Sequence, residues 1–128
     1  MLADFAPMPT LAVADLGRAR EFYEGVLGFP VGRESGDGIE YTAGSQAFLV
    51  YASSYAGTNK ATAMSFPVPP GAFDAEVGAL REKGLLFQTF EVEGITWSDG
   101  VASWGGSRSV WFEDPDGNIL NVETSAGA

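Results

Sequence analysis

The apolar positions of this chain fall into two helical stripes set among alternating stretches. Leu16, Ala19, Phe22, Tyr23, Val26 and Leu27 recur at helical spacing and predict an amphipathic helix with one buried face. Asp15 stands where an N-cap belongs and Gly28 where a helix stops, so the helix is expected over residues 15–27. Phe73, Val77 and Leu80 mark a second helix over about 72–83, stopped by Gly84. Gly78 inside it costs up to about 1 kcal/mol against alanine, so packing must hold that helix. The remaining apolar residues predict strands at 9–13, 39–42, 47–51, 64–68 and 85–92. Val110-Trp111-Phe112 and Ile119-Leu120-Asn121-Val122-Glu123 flank the run Asp114-Pro115-Asp116-Gly117-Asn118. Pro115 presets φ, while Gly117 and Asn118 tolerate positive φ, so the run predicts a hairpin turn.

The pattern repeats. Thr10-Leu11-Ala12-Val13 matches Ser65-Phe66-Pro67-Val68, and Gly28 matches Gly84 at nearly the same offset. The expected fold class is α+β: one domain over 1–128 built of tandem βαβββ modules, about 5–55 and 60–125. The second module carries an insertion over 93–107, rich in Gly and Ser and read as a turn-like loop, that holds Trp97 and Trp104. Either the loop folds over a ligand site, or the two rings pack on the sheet edge or a partner chain.

Composition narrows the chemistry mainly by exclusion. The chain has 128 residues, 45% hydrophobic and 19% charged, an ordinary globular balance. Its apolar runs are too short to cross a bilayer, and Met1-Leu2-Ala3-Asp4 does not resemble a signal peptide, so a cytoplasmic protein with no membrane partner is expected. With no cysteine and no histidine, disulfides, thiolate sites and imidazole chemistry are absent. A net charge of −10 argues against a nucleic-acid partner. The acidity either steers cationic ligands into a cleft or keeps the surface solvated.

Thr10-Leu11-Ala12-Val13-Ala14-Asp15-Leu16, Phe22-Tyr23, Leu27-Gly28-Phe29 and Asp114-Pro115-Asp116-Gly117-Asn118, in that order, resemble the glyoxalase/bleomycin resistance/dioxygenase group, the vicinal oxygen chelate superfamily. The resemblance covers nearly the whole chain. It implies that the modules form an open, curled mixed sheet with helices on its outer face and a cleft on the concave face. It also implies a homodimer, with clefts often completed between chains. It does not fix a reaction, because the group contains lyases, isomerases, dioxygenases, transferases and drug-binding proteins. Metal-dependent members place a histidine or glutamine seven residues before the capping Asp, and here that position is Met8. The matching positions are Ala63, Leu49 or Val50, and Asn121 in place of a glutamate. Divalent transition metals need several converging imidazole or carboxylate donors. No metal and no cofactor is expected.

Strand parity then proposes the content of the cleft. If Asn121 faces it, so do Ile119 and Glu123, with Leu120 and Val122 under the helices. Met8, Thr10, Ala12, Ala63, Ser65 and Pro67 face in by the same logic. Phe112 is the core residue of its strand, which leaves Trp111 and Glu113 for the cleft. Glu40 is expected in the matching place of the first module, with Phe48 and Val50 nearby. Met8, Glu40, Phe48, Ala63, Trp97, Trp104, Trp111, Asn121 and Glu123 are thus the candidate ligand contacts. Aromatic faces beside carboxylates suit a planar or cationic small organic molecule. The leading expectation is a metal-independent small-molecule binder of the drug-resistance type, sequestering a drug or metabolite. The alternatives are a metal-free acid–base enzyme of isomerase or lyase type, using Glu113, Glu123, Tyr41 or Tyr51, and a ligand-free interaction module.

Overall fold

The computed structural model describes residues 1–125, arranged as two compact units. Met1–Asn59 with Asp114–Asn118 make the first; Lys60–Glu113 with the chain from Ile119 on make the second. The class is α+β, with one open mixed sheet in each unit.

In the first unit a single 3₁₀ turn, Leu2–Asp4, precedes β1 (Thr10–Val13), α1 (Leu16–Arg20), β2 (Val31–Ser35), β3 (Gly38–Ala43) and β4 (Gln46–Ala52). The sheet order is β1-β4-β3-β2, with β1 parallel to β4 and the other pairs antiparallel. The Asp15 side chain caps α1 by accepting from the backbone N–H of Gly17 at 2.8 Å and of Arg18 at 3.2 Å. The helix expected to reach residue 27 stays α only to Arg20, and Glu21–Val26 is a π-helix. The wider winding lets the consecutive rings of Phe22 and Tyr23 both be buried. Strand β2 is the third strand after the helix that the βαβββ expectation calls for, but to which the apolar pattern assigns no residues. All five of its residues are exposed, and a register shift between Val31 and Arg33 breaks the edge.

The turn 114–118 is bound into this first unit. Asp114 Oδ1 accepts from the backbone N–H of Asp116 at 2.9 Å and of Asn118 at 2.8 Å, closing the loop on itself. Gly117, at φ 84°, supplies the left-handed step. Long-range bonds follow: the Tyr23 hydroxyl donates to Asp114 Oδ2 at 2.8 Å, and the Asn118 amide donates to the Ala12 carbonyl at 2.9 Å. Asp116 accepts from the Ala14 backbone N–H at 3.0 Å and pairs with Arg18 at 2.8 Å.

The second unit contains β5 (Thr62–Pro67), α2 (Pro70–Glu82), β6 (Thr96–Ser98), β7 (Val101–Trp104), β8 (Ser107–Glu113) and β9 (Ile119–Thr124). Its order is β5-β9-β8-β7-β6, the first unit's order with one strand added. Here two expectations are corrected. Residues 93–107 are not a loop but contribute β6 and β7, joined at Asp99-Gly100. Asp99 at φ 50° and Gly100 at φ 78° make the two-residue turn that suits twisted strands. Residues 85–92 are not a strand. Strand β7 takes the edge of β8 from Ser107 to Ser109, and residues 85–92 keep one backbone bond to β8, Gln88 N–H to the Trp111 carbonyl at 2.8 Å.

Candidate functional site

Register decides which side chains of the second unit share a face. Arg108, Val110 and Phe112 alternate with Ser109, Trp111 and Glu113 along β8. The Arg108 guanidinium lies 4.6 Å from the Phe73 ring centre of α2 and pairs with Asp74 at 2.7 Å, so its row faces the helix. Val110, Phe112, Leu120 and Val122 are buried there with Phe73 and Val77. The opposite row pairs Trp111 with Asn121, Ser109 with Glu123 and Glu113 with Ile119. Asn121 in turn pairs with Ser65 of β5. Ala63 falls at a register shift, and Thr62 takes the place opposite Ile119.

Four aromatic rings gather on this face. Phe90 meets Trp97 at 5.2 Å and Trp111 at 4.9 Å, both edge-to-face. Trp97 lies 6.2 Å from Trp111, and Trp104 lies 6.5 Å from it with the planes only 18° apart. The three tryptophans singled out in the sequence come together. Phe90 was missed because its segment reads as an ordinary strand. Phe90 and Trp104 keep 42% and 39% of their surface exposed, and Trp97 and Trp111 are half-buried. Beneath them Asn121 is buried, and its amide donates to Ser109 Oγ and, at 3.1 Å, to the Val110 carbonyl. That amide is used inside the sheet. Glu113 is exposed and Glu123 half-buried.

Two open depressions flank Phe90. One, of about 630 Å³, runs over Trp111, Thr62 and Gln88 to Lys60. The other, of about 640 Å³, runs along Trp97 and Ile95 past Glu91 and Glu93. Thr89 and Phe90 line both.

The first unit's candidates fall differently. Met8 is exposed beside a smaller depression shared with Gln46. Glu40 pairs with Leu49, while Tyr41 pairs with Phe48 and Ile39 with Val50. Phe48 and Val50 are therefore on the face opposite Glu40, a correction of one residue in the parity of β4. Phe48 is core, 5.1 Å from Phe29, 5.6 Å from Tyr41 and 5.8 Å from Tyr23. Tyr41 shares that core and donates its hydroxyl to Glu24 at 2.8 Å. Burial and that bond push its pKa up, which is the wrong direction for a base at neutral pH.

Among known proteins, the family model described as the glyoxalase/bleomycin resistance protein/dioxygenase superfamily matches residues 6–122. The chain belongs to this superfamily. No curated protein sequence matches it. Solved structures share its fold at low identity. A glyoxalase/bleomycin resistance protein/dioxygenase from Alicyclobacillus acidocaldarius aligns with TM-score 0.73 at 16% identity, over 96% of this chain and 92% of that one. The fosfomycin resistance protein FosX of Mesorhizobium loti aligns with TM-score 0.67 at 17% identity, covering 96% and 93%. FosX of Listeria monocytogenes, in complex with Mn(II) and sulfate, aligns with TM-score 0.70 at 13% identity, covering 95% and 90%.

A divalent metal, as held by metal-dependent members of this superfamily, does not fit the residues present. The β1–β4 register places Leu49, not Val50, in the row of Thr10, so Met8, Leu49, Ala63 and Asn121 occupy the positions to compare. The first unit offers a thioether and a hydrocarbon side chain there, and the second a hydrocarbon and an amide already bound to Ser109 and Val110; neither pair suits Mn, Fe, Ni or Zn. Among the described residues no group of three His, Cys, Asp or Glu side chains converges elsewhere.

Proposed function

We propose that this protein binds a small planar organic molecule on the aromatic face of its second unit, without a metal. It would act by sequestration, as a homodimer in the cytoplasm. One observation carries the reading: Phe90, Trp97, Trp104 and Trp111 form a contiguous ring cluster that stays partly open to solvent. Rings of this size are normally buried in a core, and a partly open cluster rimmed by polar groups is what a stacking site requires. The superfamily's membership supports a small ligand, and fosfomycin resistance proteins are among the structures that share the fold. The donor chemistry at the metal positions supports metal independence.

A thermal-shift screen of planar aromatics, run with chelator and with added Mn(II) or Zn(II), tests this. A bound ligand raises the midpoint as RT ln(1 + [L]/Kd). The expected result is stabilisation by aromatic compounds that is unchanged by chelator. Stabilisation that appears only with added metal would contradict the reading.

A further inference from the structure

We infer that the ligand is an aromatic zwitterion, an elongated planar molecule lying across Phe90 with an acid toward Lys60 and an amine toward Glu91 and Glu93. This rests on the aromatic-face reading above and adds the charge pattern of the occupant. The two depressions share Thr89 and Phe90, so one extended molecule can occupy both. Their outer ends are opposite in sign.

Lys60 stands apart from the arginines, which are engaged, and from Lys83, which also has no ion pair among the described residues but lines neither depression. Of the seven basic residues, all five arginines are engaged. Arg18 pairs with Asp116, Arg20 with Glu24 and Glu34, Arg108 with Asp74, and Arg33 lies 3.9 Å from Glu40. Arg81 donates to the Asp99 carbonyl and lies over the Phe87 ring. Among the described residues Lys60 has no carboxylate within 4.0 Å, and it lines the depression that holds Trp111. In a chain of net charge −10, a free ammonium beside an aromatic floor is a selective place for an anionic group. At the other end Glu91 and Glu93 have no ion pair among the described residues, and they share their depression with the rings of Phe90 and Trp97. A carboxylate beside an aromatic ring suits an ammonium, which gains both the ion pair and the ring quadrupole. A purely cationic ligand leaves Lys60 unused, and a purely anionic one meets two carboxylates.

The test is calorimetric titration at low salt with a matched naphthalene set: 6-(aminomethyl)-2-naphthoate, 2-naphthoate, 2-naphthylmethylamine and neutral 2-naphthylmethanol. The zwitterion should bind tightest, each charged end adding up to about fivefold over the neutral compound. Added salt should erase the advantage. Lys60→Gln should remove the gain from the acid only, and Glu91→Gln with Glu93→Gln the gain from the amine only. These side chains are exposed, so the variants should fold like the parent. A zwitterion that binds no tighter than the alcohol, or an acid indifferent to Lys60→Gln, would overturn the inference while leaving the aromatic site standing. If no member binds, the alcohol included, both the site and the inference fail.

Discussion

Asp114 accepts from four donors: two backbone N–H groups of its own turn, the Asn118 amide and the Tyr23 hydroxyl. Tyr23→Phe removes one donor and keeps the ring, so urea denaturation should show a loss of about 1–3 kcal/mol. Asp114→Ala strands all four donors and should cost about 4 kcal/mol or more, the range of broken buried networks. Alkaline pH should reach the same residues. Burial first, then Asp114, push the Tyr23 phenol's pKa up; burial and the bond to Glu24 do the same for Tyr41. In the unfolded chain both ionise near pH 10, whereas the fold holds them protonated beyond it. Their contribution is therefore complete below about pH 10 and is lost as pH rises above it. Tm should fall steeply there, and Tyr23→Phe should make the fall shallower. The Asp-Pro-Asp-Gly-Asn turn was legible in the sequence because its chemistry is local. Its bond to a tyrosine 91 residues away was not, since Tyr23 reads from spacing alone as one more apolar member of a helical stripe.

The hairpin β6–β7 gives the second unit its extra strand and two of its four clustered rings. Its tip is held from the helix side. Arg81 of α2 lies over Phe87 with the ring centre 5.0 Å away and donates to the Asp99 carbonyl, and a Cβ added at Gly100 would stand 3.1 Å from Phe87 Cβ. Gly100→Ala combines that crowding with a left-handed backbone, which costs about 1–2 kcal/mol for an alanine. We expect a loss of that size and a weakened near-ultraviolet dichroism, because the near-parallel Trp104 and Trp111 rings depend on the hairpin's seat. Full retention of the tryptophan signal would show that the tip does not position the rings. The turn pair Asp99-Gly100 is a strong hairpin signal, yet the surrounding Gly and Ser mask the strands it joins. Conversely, 85–92 is apolar and aromatic enough to read as a strand, and the nonlocal competition for the edge of β8 leaves it outside the sheet. The one-residue slip at Phe48 has a similar cause: period two fixes that neighbours alternate, but not which of them faces the core.

Over the whole molecule, the tandem pattern was the most legible feature. The two matching segments and the glycine stops predict tandem modules, and the Asp-Pro-Asp-Gly-Asn run predicts a hairpin, but none of them fixes the strand orders that the structure shows. What the site does was less legible, because it depends on which rings meet across strands far apart in sequence. At this scale the donor set predicts that protein purified without chelator contains no stoichiometric Ni, Zn, Fe or Mn, checked by elemental analysis; one metal per chain would contradict it. With 17 acidic residues against 7 basic, rising salt should relieve self-repulsion and raise the stability of the protein as a whole. The central claim, a metal-independent aromatic binding face, is tested most directly by titrating a planar aromatic ligand into the protein and into Trp111→Ala, with chelator present and tryptophan fluorescence followed. The account predicts saturable quenching in the parent protein and affinity at least about tenfold weaker in the variant, as for a central ring contact. Equal affinity in both proteins, or quenching that requires a divalent metal, would contradict it.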